Sequence, residues 1–134
     1  MKNTIAHYSQ LVMPDHLNNV GTLFGGQMIS WMDIAAAKAA YRFLKGTDAW
    51  GAVTRAIDKV EFKESVVSGE WVNFTATVIE AGQTSLKIQV DAIAESHKSN
   101  ERLACSALIT MVAVTKDLQG NFIKCKHSKS LEKI

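Results

Sequence analysis

The chain has 134 residues, 47% of them hydrophobic, and a formal net charge of +2. That length suits one domain with a real core, and the apolar share excludes disorder over most of it. So small a charge gives no case for bulk nucleic-acid binding, and no apolar run reaches the ~18 residues that a membrane span needs.

Taken in order, Met1 to Tyr8 contains no apolar signal core. Two cysteines, Cys105 and Cys125, are too few for a disulfide framework. Cys105 stands in an apolar, strand-like run and reads as a buried free thiol. Together these features lead to the expectation of a reducing, cytoplasmic setting. Residues 4–12 read as a short first strand, broken at Met13-Pro14-Asp15-His16 by the only proline in the chain. A loop through Gly21 then delivers the chain to Gly25-Gly26 and to a long, mostly apolar helix that should stop near Gly46. Thr22 is a candidate N-cap through its hydroxyl; the alternative is a cap at Gly25 with the helix starting a little later. Nearly the whole circumference of this helix is apolar, which predicts that other elements wrap it.

On the helical wheel Gln27, Lys38, Arg42 and Lys45 form a polar stripe, and Asp33 lies roughly 120° or more from its centre. Its neighbours there are Gly26, Ile29, Ala36, Ala37, Ala40 and Leu44. An ionised carboxylate among such groups is costly unless satisfied. One reading is an acid at a groove edge, held by a backbone N–H or a cation. The other is a desolvated base or nucleophile. Gly25-Gly26 at a helix start leaves N–H groups open to a ligand, where the helix dipole favours negative charge and a developing oxyanion could sit.

The remainder reads as strands. Residues 52–62 are β-rich but alternate poorly, and Lys63-Glu64-Ser65 is a bend. Val72, Phe74, Ala76 and Val78 are apolar at every second position, as are Leu86, Ile88, Val90, Ala92 and Ala94, with a hairpin signal at Ala81-Gly82-Gln83 between them. Lys98 to Glu101 makes the next turn, and residues 103–115 are apolar on both parities, which predicts a central strand covered on both faces. One helix and a meander of antiparallel strands is an α+β layout, with the sheet curled around the helix. The domain is set at residues 1–120. Residues 121–134, rich in lysine, read as a basic tail, either solvated or an arm near an anionic ligand.

Several chemistries lack their motifs. His7, His16, His97 and His127 are scattered without metal-ligand spacing, so no metal site is expected. No GxSxG elbow is present, and Ser30 has no evident His partner.

Met13-Pro14, Asn18, Gly21, Phe24-Gly25-Gly26 and Met32-Asp33 followed by an Ala-rich helix resemble the acyl-CoA thioesterase branch of the hotdog-fold superfamily. Gly69-Glu70, Gly82 with Thr84-Ser85, and the final apolar strand fall in with it, so the resemblance covers roughly residues 5–120. It implies a five-stranded sheet on a central helix, homodimers joined edge to edge and often assembled as trimers of dimers, and active sites at the subunit interface. It implies hydrolysis of acyl-CoA to free acid and CoA, with no cofactor beyond the CoA of the substrate. By the same resemblance Asp33 is the catalytic acid, Asn18 its partner from the opposite subunit, and Gly25-Gly26 the backbone facing the thioester carbonyl. Thr84 and Ser85 fall near the CoA chain. Two departures are Ser65-Val66, where many relatives have Pro-Val, and Phe24, where some have His; both bear on acyl preference.

Asp33 would then serve as general base or nucleophile, Asn18 would hold water or carbonyl, and the N–H of Gly26 or Gly25 would serve the oxyanion. The competing reading of Asn18 is a turn residue bonding its own backbone, with Asn19 a rival for either role. Arg55, Lys59, Lys87 and the tail lysines are candidates for the CoA phosphates. The alternative function is a non-catalytic acyl-CoA-binding or sensing domain on the same fold. A hotdog dehydratase would want a histidine beside its acid, and only His16 lies near the loop.

Overall fold

The computed structural model describes residues 4–131. Strand β1 (Ile5–Leu11) leads through a 3-10 turn at Pro14–His16 to helix α1 (Gly25–Phe43). Four long strands follow: β2 (Gly51–Phe62), β3 (Trp71–Ala81), β4 (Ser85–Ser96) and β5 (Ser99–Lys116), then a short β6 (Phe122–Lys124). The sheet is antiparallel in the order β1-β3-β4-β5-β2, with β6 paired to the end of β5. Where five strands were expected there are six.

Alternation decides which face meets the helix. Val72, Phe74, Ala76 and Val78 of β3, and Leu86, Ile88, Val90, Ala92 and Ala94 of β4, are all buried against it. The same core takes Met28, Trp31, Met32, Ala35, Ala36, Ala39, Ala40 and Phe43 from α1. Small residues on the inner stripe of α1 let helix and sheet backbones approach closely. Cys105 belongs to this core, and burial pushes its thiol up to about 11, which makes it a packing group.

β5 is not covered on both faces as its composition predicts. Ala107, Ile109, Met111 and Ala113 are buried on the helix side, while Ser106, Leu108 and Thr110 on the other side are only half-buried. Helix α1 likewise keeps an open stripe, on which Ile34 is 46% and Tyr41 66% exposed. Neither Thr22 nor Gly25 caps the helix. Phe24 is the N-cap, with no side-chain bond, and the hydroxyl of Thr22 accepts from Asn18 Nδ2 at 2.9 Å. The helix stops three residues before Gly46, which takes a φ of +84° just beyond Leu44. The turn after β4 is tighter than expected, at His97-Lys98.

The irregular β2 sequence has a physical cause. This strand forms one edge of the sheet and carries two register shifts, at Thr54/Ala56 and Asp58/Glu61, with Lys59 at φ +52°. A bulge resets the inward parity each time, so no single alternation runs through it.

Much of the lysine-rich segment is folded in. After β6, Cys125 and His127 are buried, and Lys129 Nζ donates to the carbonyls of Phe43 and Lys45 at 2.7 and 3.0 Å. A cation there satisfies orphan carbonyls at the negative end of α1. Residues 132–134 lie outside the described residues. Among those described, no helix is long and apolar enough to cross a membrane.

The loop between β2 and β3 is fastened on Arg102, chiefly by its pair with Glu70. Arg102 donates both terminal nitrogens to Glu70 at 2.8 Å each, and also to the Ser65 carbonyl at 2.9 Å. Glu70 is 5% exposed, and its carboxylate also accepts from Val67 N at 2.9 Å. The hydrogen bond from Arg102 holds the Glu70 carboxyl below its ordinary value despite burial. This stability is therefore present above the unfolded pKa near 4.5 and is lost as pH falls through the lower folded pKa. Arg102→Met should destabilise the fold by about 3 kcal/mol at pH 7, because it strands a buried carboxylate. The gap to wild type should narrow below pH ~4.5, once Glu70 takes up a proton; urea melts at several pH values check both.

Candidate active site

Two separate places on the protomer hold the residues singled out in the sequence. The first is midway along α1. Asp33 is half-buried at the flank of the helix where edge strand β2 passes. Thr54, on the helix-facing side of β2, donates its hydroxyl to Asp33 Oδ1 at 2.6 Å. Among the described residues, no basic group forms an ion pair with Asp33. The carboxylate is thus oriented by a neutral donor and keeps its second oxygen for other partners. Thr54 was missed in the sequence, because a threonine on a poorly alternating strand gives no signal until the bulge fixes which side it faces.

The second place is the start of α1. Helix geometry leaves its first N–H groups without intrahelical partners, and those of Gly25 and Gly26 donate to no other described residue. Glycine here is a matter of space. A Cβ at Gly26 would lie 2.7 Å from the Phe24 ring, and one at Gly25 would lie 3.4 Å from Phe62. Phe24, 57% exposed, stacks over the helix start. The loop before it is held by Leu23 N donating to the Val66 carbonyl at 2.7 Å and Phe24 N to the His16 carbonyl at 2.9 Å. Beside Gly25 opens a cavity of about 340 Å³ whose walls include Leu23, Met28, Phe62, Ser65 and Val66.

Asn18 takes up the turn geometry. Its Oδ1 accepts from Val20 N and Thr22 N at 3.0 Å each, and its Nδ2 donates to Thr22. It shapes the loop that presents Gly25 and Gly26, and no hydrogen bond joins it to Asp33 within the protomer. His16 is likewise engaged: Nδ1 accepts from Met13 N at 2.9 Å, and the ring packs edge-on to Trp31.

The residues expected near CoA are dispersed. Arg55 and Lys59 are exposed at the two bulges of β2, outside the cavity walls. Thr84 and Ser85 lie at the β3–β4 turn. The Thr84 carbonyl accepts from Ala113 N at 2.7 Å, and the Ser85 carbonyl lies 3.3 Å from His127 Nε2. Nothing in a single protomer brings this turn to Gly25 or to Asp33.

Comparison with known proteins fits this geometry. A family model described as the thioesterase superfamily matches residues 20–100, a stretch that includes Gly25, Gly26, Asp33 and Thr54. This chain belongs to the thioesterase superfamily, and its fold is the hotdog fold. It is 32% identical over 111 residues to acyl-coenzyme A thioesterase 11 of Mus musculus, covering 82% of this chain but 18% of that protein. The chain thus spans less than a fifth of the mouse relative. Among solved structures it resembles an acyl-CoA hydrolase of Staphylococcus aureus in complex with butyryl coenzyme A, coenzyme A and coenzyme A disulfide. That match has a TM-score of 0.80 at 26% identity and covers 96% of this chain and 73% of that one. The hexameric thioesterase of Yersinia pestis matches with a TM-score of 0.76 at 30% identity, covering 88% and 92%. Variants of the S. aureus hydrolase have also been solved with alanine in place of an aspartate, an asparagine or a threonine. Its asparagine and aspartate are fifteen residues apart, the separation of Asn18 and Asp33 in this chain.

The Asp33–Thr54 bond is exposed and its donor is neutral, so it carries little of the fold. Thr54→Val should change unfolding free energy by no more than about 1 kcal/mol, in contrast to the Arg102 variant. A loss of several kcal/mol in a urea melt would make the pair a structural tie.

Proposed function

We propose that this protein hydrolyses acyl-CoA thioesters to the free acid and CoA, at a site that two protomers build together. The observation that carries this reading is the separation of the two chemical halves along α1. Gly26 and Asp33 are seven residues apart on one helix, roughly 10 Å at its rise. A carbonyl held by the Gly26 N–H must lie within about 3.5 Å of its attacking group. One protomer therefore cannot apply both groups to one thioester.

The edge strand supplies a way to join them. β2 has twelve residues and forms one edge of the sheet, and such an edge is a template for another strand. Antiparallel pairing of two copies about the middle of β2 sets the Thr54 half of each beside the Phe62 half of the other. Thr54 carries Asp33, and Phe62 packs on Gly25. Each Asp33 then faces the glycine turn of its partner, twice per dimer. Further assembly into a trimer of dimers agrees with the hexameric Y. pestis relative.

In the reaction, the carbonyl oxygen accepts from the N–H of Gly26 or Gly25 and is stabilised there as charge develops. Asp33 either takes a proton from the attacking water, or attacks the carbonyl carbon itself, expelling the thiolate and forming a mixed anhydride that water then hydrolyses to the free acid and the restored carboxylate. Thr54 holds the carboxylate by one oxygen and leaves the other turned to the reaction. Asn18 acts at the site by shaping the loop that aims those N–H groups. The thiolate of CoA departs without needing a strong acid, which suits a site with no catalytic histidine. The reaction uses protein groups and the CoA that the substrate carries.

Asp33→Asn keeps the hydrogen bond from Thr54 possible and removes the base. It should lower kcat for acyl-CoA by at least ~10³ with the melting temperature unchanged, read by release of free thiol. Thr54→Val should lower kcat by roughly ten- to a hundredfold, as loss of an orienting partner does. Turnover by Asp33→Asn at the wild-type rate would remove Asp33 from the mechanism.

A further inference from the structure

The loop between β2 and β3 is held from outside and in turn holds the start of α1. Within it, Glu70 N donates to the Val67 carbonyl at a long 3.3 Å. Its firmer ties run to Arg102, whose guanidinium reaches the Glu70 carboxylate with two nitrogens and the Ser65 carbonyl with one of them. Arg102 stands on β5, a strand flanked by β4 on one side and β2 on the other.

The loop also grips the segment that leads into α1, at both of its ends. Gly69 N donates to the Val12 carbonyl at 2.8 Å, and Val12 N to the Glu70 carbonyl at 2.9 Å. The Val66 carbonyl accepts from Leu23 N at 2.7 Å, and both of these side chains are buried. Leu23 immediately precedes Phe24, the N-cap, whose own N–H goes to the His16 carbonyl. Where Val66 stands therefore fixes where α1 begins, and with it the direction of the Gly25 and Gly26 N–H groups.

We infer that Arg102 and Glu70 are positioning residues of the proposed reaction: through Ser65, Val66 and Leu23 the pair sets the aim of the oxyanion donors. This rests on the thioesterase reading and adds to it residues that act through others. A buried ion pair gains little stability over apolar groups of the same volume. What apolar groups cannot supply is direction, because the planar guanidinium fork holds a carboxylate and a carbonyl in one fixed arrangement. Donors to an oxyanion act where charge develops, so an error in their aim costs turnover and leaves substrate binding nearly as it was.

The test separates aim from stability. Glu70→Met combined with Arg102→Met replaces the pair by apolar side chains, and the full chain carrying both should melt near wild type, unlike Arg102→Met alone. Its kcat for an acyl-CoA should still fall roughly tenfold or more, with KM within about twofold of wild type. Arg102→Lys keeps the charge and loses the fork; it should lower kcat in the same way, and it carries the test if the double variant does not fold. Amide hydrogen exchange reads the coupling without any turnover. Leu23 N–H should exchange roughly tenfold faster in either variant, while the amides of β3 and β4 keep their protection. Wild-type kcat in a folded variant that lacks the fork would overturn the inference, as would a raised KM with kcat intact. Unchanged exchange at Leu23 would sink it alone, whereas wild type that releases no thiol from acyl-CoA would sink the thioesterase reading and the inference with it.

Discussion

A carboxylate midway along a buried helix has to be satisfied without being neutralised. In this protein Asp33 meets that requirement at the flank of α1, where the edge strand brings Thr54 within 2.6 Å. A cation in the same place would have made a salt bridge and tied up both carboxylate oxygens. A hydroxyl supplies one directed hydrogen bond and no charge, so the remaining oxygen keeps its freedom of approach. The bulge at Thr54/Ala56 is part of this arrangement, because it lets Thr54 face the helix while the strand beyond it returns to register.

The same helix presents its other asset at the opposite end of a fixed ruler. The N–H groups of Gly25 and Gly26 donate to no described residue, and the loop that aims them is fastened by Asn18, by the Val66 carbonyl and, one step back, by the Glu70–Arg102 pair. Because an α-helix is stiff, the span between glycine turn and acid cannot close within a protomer. Rigidity in the monomer thus makes a second copy a chemical requirement of the proposed reaction. The long open edge of β2 and the exposed stripe of α1 are the surfaces such a copy would meet.

Much of the fold was legible because β3 and β4 alternate strictly and α1 carries a broad apolar face, so the α+β layout follows from periodicity alone. β2 was not legible in the same way, since two bulges erase its parity. The N-cap was misread at Thr22 because side-chain chemistry favours it there, whereas tertiary contacts of the loop set the start at Gly25. Both faces of β5 read as buried, since composition does not separate a covered face from a half-open one. The lysines after Asn121 looked solvated, yet Lys129 finds the C-terminal carbonyls of α1, a partner 86 residues away in sequence. At the site, Asp33 stood out for its place on the wheel and Gly25-Gly26 for their position at a helix start. Thr54 had no local signal, and the ligands expected for CoA phosphates depended on a resemblance that one protomer does not test.

The most direct measurement is subunit complementation. Asp33→Asn and Asn18→Ala each disable one half of the site, the second either directly or through the loop it holds. Each should be inactive alone. Unfolded together and refolded, they should recover roughly a quarter of wild-type activity, because random pairing makes half the dimers mixed and each mixed dimer holds one intact site. Mixed dimers that form, as shown by mass spectrometry, and yet stay inactive would contradict a site shared between protomers.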